Sequence, residues 1–196
     1  MILAQRSEAY ERRRDLARRD VVSVAFDDTF IYASRIVHGG EVSRFPKAGG
    51  AARVIATALP DEISVAVDET HAYLGGATWL PRSTKGRGLV ARVPKGGGKM
   101  DVLAQGRDAA RDVFLDAMHV YWGEGRWGYP GRVMRAPKGG GSVEVVHEDS
   151  TFERAWSDGP WIYVMSHGTF GQRSTGVEQL MDAALWRFPK AGSLAR

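Results

Sequence analysis

The sequence predicts an all-β fold, a β-propeller of four blade repeats with four antiparallel strands each. Three observations lead there. A phrase Arg-x-Pro-Lys, then Gly or Ala, then Gly, occurs four times: at Arg44-Phe45-Pro46-Lys47-Ala48-Gly49, Arg92-Val93-Pro94-Lys95-Gly96-Gly97, Arg135-Ala136-Pro137-Lys138-Gly139-Gly140 and Arg187-Phe188-Pro189-Lys190-Ala191-Gly192. An Asp and a Tyr five residues apart precede each copy, at Asp27/Tyr32, Asp68/Tyr73, Asp116/Tyr121 and Asp158/Tyr163. Short apolar runs lie between the phrases, and the 24 glycines of the 196-residue chain cluster in the gaps, as turns between many short strands require.

The tyrosines stand 41, 48 and 42 residues apart, a spacing of blade size. Strand A is the apolar run before the Asp, residues 21–26, 63–67 and 113–115. The Asp opens a turn, because its short carboxylate bonds the backbone two residues on. Strand B carries the Tyr, at residues 30–33, 72–74, 120–122 and 161–165. Strand C ends in Arg-x-Pro, as in residues 131–136, and the glycines after the Lys supply the positive φ of the next turn. Strand D is read at residues 53–56, 102–104 and 143–146. For the last blade, Met1-Ile2-Leu3-Ala4-Gln5 resembles the strand D segment Met100-Asp101-Val102-Leu103-Ala104-Gln105 and is expected to supply the outer strand, pairing an open edge. The reading is one β-propeller domain over residues 1–196, with blades at approximately 21–58, 62–105, 112–147, and 154–196 plus 1–5. The alternative is a piece of a longer propeller, cut within two blades. Residues 6–20 interrupt the pattern; Ser7 suits an N-cap and good helix formers follow, so a short helix is expected near residues 7–18.

Composition bounds the function. Hydrophobic residues at 43% and charged residues at 26% are globular values. The absence of cysteine excludes disulfides, thiolate metal sites and a Cys nucleophile. No apolar stretch approaches the length of a membrane-spanning helix. Met1-Ile2-Leu3-Ala4-Gln5-Arg6 reaches charge too soon for a secretory signal, so a cytoplasmic location is the default expectation. The net charge of +4 permits an acidic partner without requiring one. A monomer and a dimer are both compatible with the repeat.

Blade three carries the fullest form of the motif. Its Asp-x-x-His-Val-Tyr-Trp (residues 116–122) and Gly-x-Val-x-Arg-x-Pro-Lys-Gly-Gly (residues 131–140) resemble bacterial propeller repeats, related in style to the YWTD blades of low-density-lipoprotein receptors. The other blades depart from the Tyr-Trp pair, with Tyr32-Ala33, Tyr73-Leu74 and Tyr163-Val164. Such families typically show six blades, so the resemblance leaves ring closure open. It implies a binding scaffold and carries over no catalytic residue.

The variable part of the repeat lies between strands B and C, where the Tyr-to-Arg spans are 12, 19, 14 and 24 residues. In propellers these connections share one face around the channel. The expected ligand-binding residues there are Trp79, Arg82 and Arg87 (with Lys85), Arg126, Trp127 and Tyr129, and Phe170 and Arg173 (with Gln172). Aromatic rings interleaved with Arg suit stacking and charge pairing; the plainer reading is that they anchor their own loops. Acidic residues recur before strand A (Asp20; Asp61 and Glu62; Asp108 and Asp112; Glu148 and Asp149) and read as solvated turn residues. No cofactor is called for, with calcium at the channel mouth as the alternative. His71 and His119 share a repeat position and read as structural, whereas His38, His167 and Glu124 could meet near the channel. No Gly-x-Ser-x-Gly is present, and the glycine turns lead into strands, which excludes a phosphate loop. The leading function is therefore a non-enzymatic scaffold recognising a protein or small ligand on the B–C loop face. A hydrolase or lyase at the channel mouth and a polyanion or nucleic-acid binder through Arg12, Arg13, Arg14, Arg18 and Arg19 are the alternatives.

Overall fold

The computed structural model describes residues 21–36, 39–60, 62–77, 88–125, 131–149, 152–166, 169–172, 178–181 and 184–190. The helix expected near residues 7–18 and the strand expected at residues 1–5 lie outside them. Among the described residues all regular structure is β. Blade one is β1 (Val21–Phe26), β2 (Phe30–Arg35), β3 (Glu41–Pro46) and β4 (Arg53–Thr57). Blade two is β5 (Glu62–Val67), β6 (His71–Ala77), β7 (Gly88–Pro94) and β8 (Asp101–Arg107). Blade three is β9 (Arg111–Leu115), β10 (His119–Glu124), β11 (Gly131–Pro137) and β12 (Glu144–Asp149). Blade four has β13 (Phe152–Asp158), β14 (Trp161–Ser166) and β17 (Ala184–Pro189), with a separate hairpin of β15 (Thr169–Gln172) and β16 (Glu178–Met181) between the last two. Each blade is an antiparallel meander in chain order, so the first three sheets have four strands and the fourth has three among the described residues.

Turn chemistry sets the register. Asp27 Oδ1 accepts from the Thr29 and Phe30 N–H groups at 2.8 and 2.6 Å, and Asp68 and Asp116 do the same two and three residues on. Each Asp thereby holds the β-turn from strand A to strand B. In the C–D turns, Gly49 and Gly50 have φ of 90° and 125°, Gly97 and Gly98 81° and 136°, and Gly140 and Gly141 88° and 140°. The residue before each pair needs no positive φ, which is why Ala48 stands where Gly96 and Gly139 do.

The core lies between sheets. Tyr32, Val42 and Ile55 of blade one pack on Ile63, Val65, Leu74 and Val93 of blade two. Tyr73, Val90 and Ala104 pack on Val113, Val120, Trp122 and Met134 of blade three. Phe114, Tyr121, Val133 and Val146 pack on Ala155, Ile162, Val164 and Phe188 of blade four. A sheet covered on both faces buries its second strand almost throughout, as β6 and β10 are, and this is why those strands read as continuous apolar runs.

The repeated polar residues lock these joints. The hydroxyls of Tyr32, Tyr73 and Tyr121 donate to Asp27, Asp68 and Asp116 at 2.9, 3.0 and 2.7 Å within each blade. The Lys of the following blade then arrives. Lys95 Nζ lies 2.5 Å from Asp27 Oδ2, and Lys138 Nζ 3.0 Å from Asp68 Oδ2; Lys190 Nζ instead donates to the Leu115 carbonyl at 3.5 Å. The ammonium groups also sit 5.7 and 5.5 Å from the Tyr32 and Tyr73 ring centroids. Arg92 and Arg135 complete the latch by donating to the Lys138 and Lys190 carbonyls of the next blade. Burial pushes the Asp27, Asp68 and Asp116 carboxyls up, but the converging donors outweigh it and hold all three below the usual carboxylate range. Burial, reinforced by the Asp partner, pushes the Tyr73 and Tyr121 hydroxyls up to about 12.

Candidate functional site

Antiparallel meanders place the A–B and C–D turns on one face, with the latches, and the B–C and D–A connections on the other. Of the residues expected to bind a ligand on the second face, Trp79, Arg82, Arg87, Arg126, Trp127, Tyr129 and Arg173 lie outside the described residues. Phe170 is on β15, its backbone opposite Leu180 in the β15–β16 hairpin; its side chain is outside the description. His38 and His167 are outside as well.

At that face the innermost strands enclose a cavity of about 250 Å³, lined by Ser23, Ser64, Asp112, Arg111 and Arg154 together with aliphatic side chains of β1, β5 and β9. Four of these polar residues share one repeat position, four before the motif Asp. Ser23 Oγ accepts the Val65 N–H at 3.2 Å, Ser64 Oγ accepts the Val113 N–H at 3.1 Å, and Asp112 Oδ2 accepts the Ala155 N–H at 3.3 Å. A seam of side-chain acceptors thus ties each inner strand to the next and satisfies amides that no strand pairs. Ser64 stands close to Gly75, where an added Cβ would collide with the Val113 side chain, so glycine is needed for the approach.

At the fourth seam position Arg154 replaces an acceptor with a donor, and its Nη1 lies 3.0 Å from Asp112 Oδ1. Asp112 itself has φ of 51°, in the left-handed region. Its side chain is 11% exposed, which corrects the expectation of a solvated turn residue: the carboxylate turns inward as a seam acceptor. Burial pushes its pKa up, outweighing the charge and hydrogen bond of Arg154, the charge of Arg111 and the Ala155 N–H. Arg111 donates from Nη2 to the Gly125 carbonyl at 3.0 Å, while its buried Nε has no hydrogen-bond partner among the described residues. At the rim, buried Glu124 accepts from Arg107 Nε and Nη2 at 2.5 and 3.0 Å and from the Trp122 indole at 2.7 Å. That network commits Glu124 to anchoring the start of the third B–C loop.

Two guanidinium groups flank one buried carboxylate at a cavity wall, so the mouth suits a small ligand rich in hydrogen-bond acceptors. The serines accept backbone amides, and among the described residues no His or Lys stands beside them in the cavity lining. Among the described residues no three His, Asp or Glu side chains gather to hold a metal ion. The seam went unread in sequence, although aligning the repeats would have stacked Ser23, Ser64, Asp112 and Arg154 in one column.

No family model matches the chain, and no curated protein does. Solved structures do. The computationally designed Ika4 protein superposes with a TM-score of 0.52 at 10% identity, over 87% of this chain and 92% of that one. TolB from Acinetobacter baumannii gives 0.53 at 13% identity, over 76% of this chain and 40% of its own. The phage phi92 endosialidase gives 0.57 at 10% identity, over 91% and 37%. The chain has a β-propeller fold. It spans less than half the length of the two natural propellers, and identities this low carry the fold alone. No described helix is long and apolar enough to cross a membrane.

Proposed function

We propose that the protein is a non-enzymatic propeller scaffold whose B–C loop face, opening around the channel mouth, recognises a partner or small ligand through acceptor groups such as carboxylates. The observation that carries this reading is a division of labour between the two faces. Where one blade meets the next, the repeated Asp, Tyr, Lys and Arg are engaged in joints on the turn face. The opposite face has the B–C connections of unequal length and an arginine-flanked cavity. The inserted Trp79, Arg82, Arg87, Arg126, Trp127, Tyr129, Phe170 and Arg173 belong to those connections and would extend the surface outward. The Tyr121-Trp122 pair and the run at residues 131–140 support placing the repeat near YWTD-type blades, which serve binding.

The test is thermal unfolding of the protein with a panel of mono- and dicarboxylates and phosphate esters. A ligand present at about a hundred times its Kd adds about 2.7 kcal/mol, equivalent to roughly 5–10 °C for a chain of this size. One class should raise the midpoint, and Arg111→Met should abolish the rise. Trp79→Ala and Trp127→Ala should leave the midpoint of the free protein unchanged. No shift from any compound, with both Trp variants unfolding several degrees early, would show that the loops hold themselves together and bind nothing there.

A further inference from the structure

The joint between blades occurs three times in the structure, and the two outward faces of the array are its two unmatched halves. On β1, Val24 is 46% exposed, whereas Val65 at the same position in blade two is 5% exposed. Val22 and Phe26 are exposed beside it. On blade four, Leu185 is 63% exposed, although Val42, Val90 and Val133 at its repeat position are all at 0%. Trp156 stacks on Tyr163 at 5.9 Å just as Phe114 stacks on Tyr121 at 5.1 Å, but Phe114 is covered by the next blade and Trp156 is not.

The latch is divided in the same way. Lys47 occupies the position of Lys95 and Lys138, yet among the described residues it has no carboxylate partner and approaches the Phe26 ring, at 5.9 Å. Asp158 and Tyr163 occupy the positions of Asp68 and Tyr73, and among the described residues no cation reaches them; Asp158 is exposed. One face therefore offers an apolar strand and an unpaired ammonium, and the other offers an apolar sheet and an unpaired carboxylate. Among the described residues the two faces do not pack on each other.

We propose that these faces mate between two copies of the chain, blade four of each against blade one of the other, with Lys47 on Asp158 at both junctions. Two head-to-tail contacts related by a two-fold axis close into one ring. Arg154, at the seam position, has no acceptor to offer the Val24 N–H of the partner. The new joint therefore relies on the apolar faces and the latch, and it dissociates on dilution more readily than the internal joints open.

Sedimentation velocity of residues 1–196 across a dilution series of about a hundredfold tests this. The expected result is a species of two 21.5 kDa chains that gives way to one on dilution. Lys47→Glu and Asp158→Lys should each yield a folded monomer, with the far-ultraviolet circular dichroism of the parent. Mixing the two variants should restore the pair, because both junctions of the mixed ring then join opposite charges. Val24→Glu should give a folded monomer that no mixing rescues. A parent that is monomeric at every concentration, an open-ended series of larger species, or a mixture that fails to pair would overturn the proposal.

Discussion

At Asp68 the Thr70 and His71 N–H groups, the Tyr73 hydroxyl and the Lys138 ammonium converge on one carboxylate. The same side chain shapes a turn, orients a buried ring and receives the neighbouring blade. The sign of its pH dependence follows. Asp27, Asp68 and Asp116 have folded pKa values below the unfolded value. Their contribution is fully present above about pH 4 and is lost as pH falls further, through the folded values. Tyr73 and Tyr121 are raised to about 12, so their contribution holds below about pH 10 and fades as pH climbs toward that value. Phenolate absorbance during a base titration should show these tyrosines ionising only with unfolding, and Tyr73→Phe should cost about 1–2 kcal/mol. Ionisation of Tyr73 near pH 10 in the folded protein would contradict the assigned bond. The Asp–Tyr spacing was legible in sequence as a repeat. Its purpose was not, because the Lys that completes the latch on Asp68 lies seventy residues away.

Strands and turns were the most readable level. Asx turns, glycine pairs and apolar alternation are local, and in blades one to three each appears in the structure where the repeat puts it. Blade four was harder. In β13, Arg154 and Asp158 stand on the face away from blade three, which no other blade covers among the described residues, and Glu153 and Ser157 further interrupt the apolar run. The β15–β16 hairpin was missed because Thr-Phe-Gly-Gln and Glu-Gln-Leu-Met are too short and mixed for a period to emerge. The C–D turn makes a sharp comparison between adjacent glycines. Gly97 has φ of 81°, so Gly97→Ala should destabilise by roughly 1–2 kcal/mol. Gly96 faces open space and matches Ala48, so Gly96→Ala should be neutral or stabilising by up to about 1 kcal/mol. Equal effects in urea unfolding would mean the turn is not held as described.

At the scale of the molecule, four thin sheets become one body only through their joints. The apolar half of each joint was visible in sequence as buried strands. The polar half, and the seam of Ser23, Ser64 and Asp112 that borders the cavity, arises between repeats and has no local pattern to betray it. The candidate binding face was legible mainly as variation in loop length, which locates a surface and leaves its ligand unstated. At the first two joints the repeated Asp and the next blade's Lys hold neighbouring blades together. The direct measurement is a double-mutant cycle on Asp68 and Lys138, using Asp68→Asn, Lys138→Met and the pair in denaturant unfolding. The two groups are 3.0 Å apart and about four-fifths buried, and a coupling of about 1–2 kcal/mol is expected. Additive losses would mean that the blades stay together by apolar contact alone, and that the repeated charges serve only the turns in which they sit.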